Sequence, residues 1–192
     1  MRNAIIYCII FTFIFSIGKG DEPVALPAIK VFPADNIWNT PVNNLPVSAK
    51  SNTFINTIGK DKTVHPDFGA GLYNGAPIGI PFLVVSGNQQ KVAVTFTYWD
   101  ESDIGPYPIP ANAPIEGGAN STGDRHVIVI DSDNGILYEL FGAYPQANGS
   151  WIADSGAIFS LKTNDLRPDT WTSADAAGLP IYPGLIRYEE VL

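Results

Sequence analysis

The chain has 192 residues, 45% of them hydrophobic and only 16% charged, a balance that excludes a disordered or nucleic-acid-coating protein. Eleven Lys and Arg against 19 Asp and Glu give a net charge of −8, which argues against DNA, RNA and anionic membrane surfaces as partners.

Met1-Arg2-Asn3 supplies a short positive start, and Ala4 to Ile17 is apolar apart from Thr12 and Ser16. Gly18-Lys19-Gly20 then places small residues at the −3 and −1 positions of a cut before Asp21. This is the pattern of a secretory signal peptide over 1–20. The run falls short of the ~20 apolar residues of a membrane span. The expected protein is therefore secreted, extracellular or periplasmic in a Gram-negative bacterium, with no membrane association after cleavage. Residues 21–192 are expected to form a single globular β-rich domain, large enough for a sizeable core. The single cysteine, Cys8, falls in the leader, so the mature chain is expected to fold without a disulfide or a thiolate.

Eighteen glycines and 16 prolines leave little room for long helices. Ser51 to Ile58 reads as a short helix. Ile80 to Val85 is a β-branched and aromatic run, Ser86 to Gln90 a hairpin loop, and Val92 to Trp99 an alternating strand. Asp100 to Gly123 has no periodicity and four prolines, the signature of a long covering or binding loop. Arg125 to Asp131 and Ile136 to Ala143 form a hairpin through Asn134-Gly135. A two-residue turn there sets Asp131 opposite Tyr138 and His126 opposite Ala143. One face carries His126, Ile128, Ile130, Glu139 and Phe141; the other carries Arg125, Val127, Val129, Asp131, Tyr138 and Leu140. Both faces are mostly apolar, which predicts a central hairpin between layers. Trp151 to Leu161 reads as a strand region broken near Gly156, and Ser173 to Ala177 as a second short helix ending at Gly178. The predicted fold is mainly β, an antiparallel barrel or sandwich with one or two short helices.

Gly123-Asp124-Arg125-His126 is the sharpest chemical signal. Asp124 and His126 are two apart on a strand and so share a face. A carboxylate beside an imidazole steadies its tautomer and suits general acid–base work, whereas Arg125 faces the other way and reads as structural. The same histidine also reads as a core residue satisfied by its neighbour. Asp100, Glu101, Asp103, Glu116 and Asp124 supply the paired carboxylates of glycoside cleavage, with Tyr98, Trp99 and Tyr107 available to stack on sugar rings. His65 with Asp67 and His126 with Asp124 offer nitrogen and oxygen donors, too few clustered ligands to support a metal site, so no metal and no cofactor is expected. Asp131 to Gly135 departs from the calcium-loop pattern and is better explained by the hairpin. No Gly-x-Ser-x-Gly elbow, Walker loop or His-Glu-x-x-His motif occurs.

Several blocks span nearly the whole mature chain: FPADNIWNTPV from Phe32, HPDFG from His65, YWDESDIGPYPIP from Tyr98 and APIEGG from Ala113. GDRHVIVID follows from Gly123, LYELF from Leu137 and WTSADAAGLPIYPGLIRYEEV from Trp171. In these blocks the chain resembles an uncharacterised family of secreted, mostly bacterial proteins. The resemblance implies export and extracellular work on polymers, and assigns no catalytic residue. Members of that family continue past the GLIRYEEV segment with a region rich in histidine and arginine, so the resemblance also implies a relative truncated at its C-terminus.

The leading expectation is a secreted carbohydrate-active protein, a polysaccharide-cleaving hydrolase or lyase with Asp124, His126 and Glu116 as catalytic groups. Asp100, Asp103, Trp99 and Tyr107 would bind the substrate. The rival is a non-catalytic glycan- or surface-binding module using Trp99, Tyr107 and Trp151 as an exposed platform. Either way the expected partner is a polysaccharide or a cell-surface glycan.

Overall fold

The computed structural model describes residues 29–63, 71–73 and 75–186. The expected leader, Cys8, the His65/Asp67 pair and the last six residues lie outside them. Among the described residues one α-helix, α1, spans Ser51–Ile58 as expected and ends where the Gly59 amide donates to the Ile55 carbonyl. Nine strands follow among the described residues, in chain order: β1 (Leu72–Tyr73), β2 (Ala76–Pro77), β3 (Phe82–Val85), β4 (Val94–Phe96), β5 (Val127–Asp131), β6 (Ile136–Phe141), β7 (Tyr144–Pro145), β8 (Trp151–Ala153) and β9 (Ser155–Ser160). Short 3-10 turns occupy Trp99–Glu101 and Tyr182–Gly184. Ser173 to Ala177 is not a helix. Its polar side chains bond the nearby backbone instead: the Asp175 amide donates to Ser173 Oγ, and the Ala177 amide to Asp175 Oδ1.

The strands form a four-stranded sheet in the order β3-β5-β6-β9, a three-stranded sheet β4-β8-β7 and the small β1-β2 pair. Both larger sheets are mixed, which corrects the antiparallel expectation: β3 runs parallel to β5 and β4 parallel to β8. The expected hairpin between β3 and β4 does not form either, because the two strands belong to different sheets. The chain break after β8 falls at Asp154, and Gly156 lies inside β9.

The β5-β6 hairpin is central, but its register is two residues from the expected one, with Asp131 opposite Ile136 and Val127 opposite Leu140. The reason is local. Asp131 accepts hydrogen bonds from the Asn134 amide (3.0 Å) and from Asn134 Nδ2 (2.7 Å). The Gly135 amide, at a left-handed φ of 65°, closes on the Asp131 carbonyl. Asn134-Gly135 thus ends a four-residue connection rather than forming a two-residue turn. A slip of two keeps every side chain on its expected face.

All five residues of β5 are buried, so this strand separates two apolar clusters. Val127, Val129, Tyr138 and Leu140 face Val94, Phe96, Trp151 and Ala153 of the three-stranded sheet. Ile128, Ile130 and Leu137 face Phe32, Leu161 and Tyr182 from the loops. Each fully buried aliphatic side chain contributes about 1.5–3 kcal/mol. At the outer edge of the four-stranded sheet, the Asp103 amide donates to the Gly156 carbonyl and the Ile158 amide to Asp103 Oδ2. The 102–103 segment therefore covers an edge that would otherwise invite pairing.

Candidate functional site

The kink that builds the site is at Arg125, which has φ 52° immediately before β5. Its buried guanidinium stabilises that backbone by donating to three carbonyls: Ala143 (3.1 Å), Ala119 (3.0 Å) and Ser121 (2.8 Å). It also lies 4.1 Å from the centre of the Tyr144 ring. The role is structural, as the sequence suggested. Across the kink, the Gly142 amide reaches the Asp124 carbonyl and the Ala143 amide the Arg125 carbonyl.

Asp124 and His126 line one open cleft of about 560 Å³. Phe141 joins them from β6, Tyr98 from just before the first 3-10 turn, Glu101 from within it, Ser155 from β9, and Thr172, Ser173 and Asp175 from the far wall. The carboxylate within ion-pair reach of the imidazole belongs to Glu116 and not to Asp124: Oε2 lies 4.0 Å from Nε2. Glu116 is fixed by paired backbone contacts. Its amide donates to the His126 carbonyl (3.0 Å), and the His126 amide donates to its Oε2 (3.3 Å). His126 Nδ1 lies 3.3 Å from the Leu140 carbonyl. A carbonyl only accepts, so this contact assigns the proton to Nδ1 and leaves Nε2 as the basic nitrogen. The ring packs at 5.7 Å on Phe141 and its side chain is 9% exposed.

The remaining predicted residues divide sharply. Asp100 and Trp99 are exposed on the 3-10 turn, and Trp99 keeps 67% of its surface. Asp103 is occupied by the Ile158 amide and by an ion pair with Arg167. Tyr107 is completely buried, edge-on to Phe96 and Tyr138, with its hydroxyl donating to the Asp103 carbonyl. That burial pushes its phenol well above the ordinary range. Trp151 is buried as well. Tyr107 and Trp151 therefore fill the core and present no stacking face, which removes two members of the expected platform. Among the described residues, no group of three or more His, Cys, Asp or Glu side chains is arranged to hold a metal.

Two residues that shape the cleft escaped the sequence reading. Arg167 donates to the Thr172 carbonyl (2.8 Å) and to the Glu101 carbonyl (2.9 Å) while paired to Asp103. It ties the 3-10 turn to the opposite wall. The other is Glu139, on the His126 face of the hairpin. It is completely buried and accepts the amides of Ile181 (2.9 Å) and Tyr182 (2.8 Å). Burial raises its carboxyl to about 7, partly opposed by those two amides; Asp175 adds to the rise and Arg167 reduces it. An acidic residue within the apolar run of β6 was the available signal. Arg167 sits in a stretch with no periodicity, and nothing local marked it.

Comparison with protein-family models, curated sequences and solved structures found no match to this chain.

Proposed function

We propose that the cleft binds a polysaccharide outside the cell and hydrolyses it, on a sandwich-like stack of the two sheets, in a protein exported by the 1–20 leader. The carrying observation is the convergence of His126, Asp124, Glu101 and Asp175 on one cleft beside Tyr98. In this reading Glu116 steadies the imidazole, and His126 Nε2 and Asp124 divide the acid and base roles. One protonates the departing glycosidic oxygen as the C–O bond breaks, while the other takes a proton from the attacking water. The cleft-lining side chains include three carboxylates and neither Lys nor Arg. This favours a neutral or amine-bearing glycan over a uronate, whose elimination needs positive charge beside its carboxylate. The reading uses no metal and no cofactor.

Tyr98 and Trp99 are 49% and 67% exposed beside the cleft, which favours a second reading, a glycan-binding module without catalysis. Product release from neutral, amino and uronic polysaccharides separates the two. Reducing ends and unsaturated-uronate absorbance are read for the wild type, His126→Ala and Asp124→Asn. Reducing ends that vanish in both variants support the hydrolase. Absorbance at the uronate double bond would replace it with a lyase. No release, with polymer retention lost in Trp99→Ala, supports the binding module; neither release nor retention rejects both.

A further inference from the structure

A second depression lies towards the other end of β5 from His126, and the two share no lining residue. It is an open groove of about 440 Å³, inside the ~300–1,000 Å³ range of small-molecule sites. Ile130 of β5 lines it together with Ile29, Phe32 and Leu161, and the only charged residues among the described lining are Lys30 and Lys162. Both flanks are held in place by specific contacts. Phe32 has a left-handed φ of 61°, uncommon for a bulky residue, and its ring is buried. Asn39 maintains that bend, its Nδ2 donating to the Val31 carbonyl (2.8 Å) and the Pro33 carbonyl (2.9 Å). On the other flank the stem of Lys162 crosses Gly135, where a Cβ would come within 2.5 Å of Lys162 Cε. The bare glycine is what lets the lysine lie there.

Both lysines are exposed, and neither has a carboxylate partner among the described residues. Lys162 Nζ reaches the Asp133 carbonyl at 3.5 Å, while the Asp133 carboxylate accepts from the Gly87 amide (2.8 Å). In a chain of net charge −8, this apolar groove carries two positive charges and no acid. It is complementary to an anion with an apolar body.

We propose that the groove binds a single-chain anionic amphiphile, a fatty-acid-like carboxylate. Its chain lies along Phe32, Ile130 and Leu161, and its head meets Lys30 and Lys162. Burial of the chain supplies most of the affinity, and the two ammonium groups discriminate a charged head from an uncharged one. Exposed ion pairs are weak, so each ammonium is worth about a two- to fivefold change in Kd. The groove uses none of the acids of the cleft, and its occupant is independent of the polysaccharide reading.

The test is a pair of titrations of the whole protein at neutral pH, with decanoate and with 1-decanol, each kept below its aggregation limit and followed by NMR amide shifts. Decanoate is expected to move the Phe32, Ser132, Gly135 and Lys162 amides saturably while His126 and Asp175 of the cleft stay still. The uncharged 1-decanol is expected to bind about fivefold or more weakly. Lys30→Gln and Lys162→Gln change exposed side chains and leave the core untouched. Each is expected to weaken decanoate about two- to fivefold and to leave 1-decanol unchanged. Equal affinity for the two probes overturns the proposal, as does decanoate binding that survives both substitutions together. Absence of saturable movement in the groove also overturns it. Movement of the same amides on raising the protein concentration alone would replace the amphiphile with a second copy of this chain.

Discussion

Glu116 and His126 are joined in both directions: each donates its backbone amide to the other residue, one to a carbonyl and one to a carboxylate oxygen. The pairing fastens the long 100–123 loop to the entrance of β5. Replacing Glu116 with Ala leaves the buried His126 amide without its acceptor, which costs about 1–3 kcal/mol. Glu116→Gln keeps an oxygen in place and is expected to recover most of that loss. Urea unfolding of the two variants measures the difference.

Arg125 is expected to be the most sensitive residue of the site. Truncation to Ala strips donors from three carbonyls and leaves a left-handed φ without the contacts that maintain it. The expected loss is about 2–4 kcal/mol. Arg125→Lys recovers little, because one ammonium cannot span the Ala143, Ala119 and Ser121 carbonyls. Thermal unfolding of both variants provides the check.

Two neighbouring acids should behave oppositely. Asp103 caps the β9 edge and pairs with the buried Arg167, so Asp103→Asn is expected to cost about 1–3 kcal/mol, the lower part of that range reflecting its partial exposure. Asp100 is exposed, and Asp100→Asn should stay within about 0.5 kcal/mol of wild type. Denaturant midpoints of the two variants test the contrast, and equal effects would contradict it.

Gly156 matters for space. A Cβ there would come within 2.5 Å of Phe96 Cε1 and 2.7 Å of the Tyr107 hydroxyl. Gly156→Ala forces these rings apart at an expected cost of about 1–3 kcal/mol. Near-ultraviolet circular dichroism would report the disturbed aromatic packing.

Global stability should also depend on pH through Glu139. Its folded-state value of about 7 lies above the ordinary 4.5, so between those limits the native state binds more protons than the unfolded chain. Stability is therefore expected to decline as pH rises from about 4.5 to 7 and to level off beyond. Urea midpoints at pH 5 and pH 8, for wild type and Glu139→Gln, would reveal this slope and its loss.

What the sequence disclosed followed from local physics. Helix α1 and the faces of β5 and β6 are periodic features, legible over a few residues. The hairpin register was displaced because the Asp131 side chain captured Asn134, a contact that no dipeptide signal encodes. The parallel partners were invisible because β3 meets β5, and β4 meets β8, across long stretches of intervening chain. At the site, Asp124 and His126 do line one cleft, yet the positive φ at Arg125 breaks the strict alternation on which their common face was argued. The wall opposite them is aperiodic, so Arg167 and the Glu139 anchor became apparent only in three dimensions.

The parallel pairings also set an order of assembly. β5 and β6 are joined by a short turn and β9 returns to β6 soon after β7 and β8, whereas Phe82 must find Ile128 and Val94 must find Trp151 over distances of 46 and 57 positions. Loop-closure entropy delays such contacts, so β5, β6 and β9 can organise before β4 joins β8. Until β4 arrives, part of the apolar flank of β5 and β6 faces water. The burial of Trp151 against Val94 and Phe96 then becomes the late event of folding, and its fluorescence the natural clock for it.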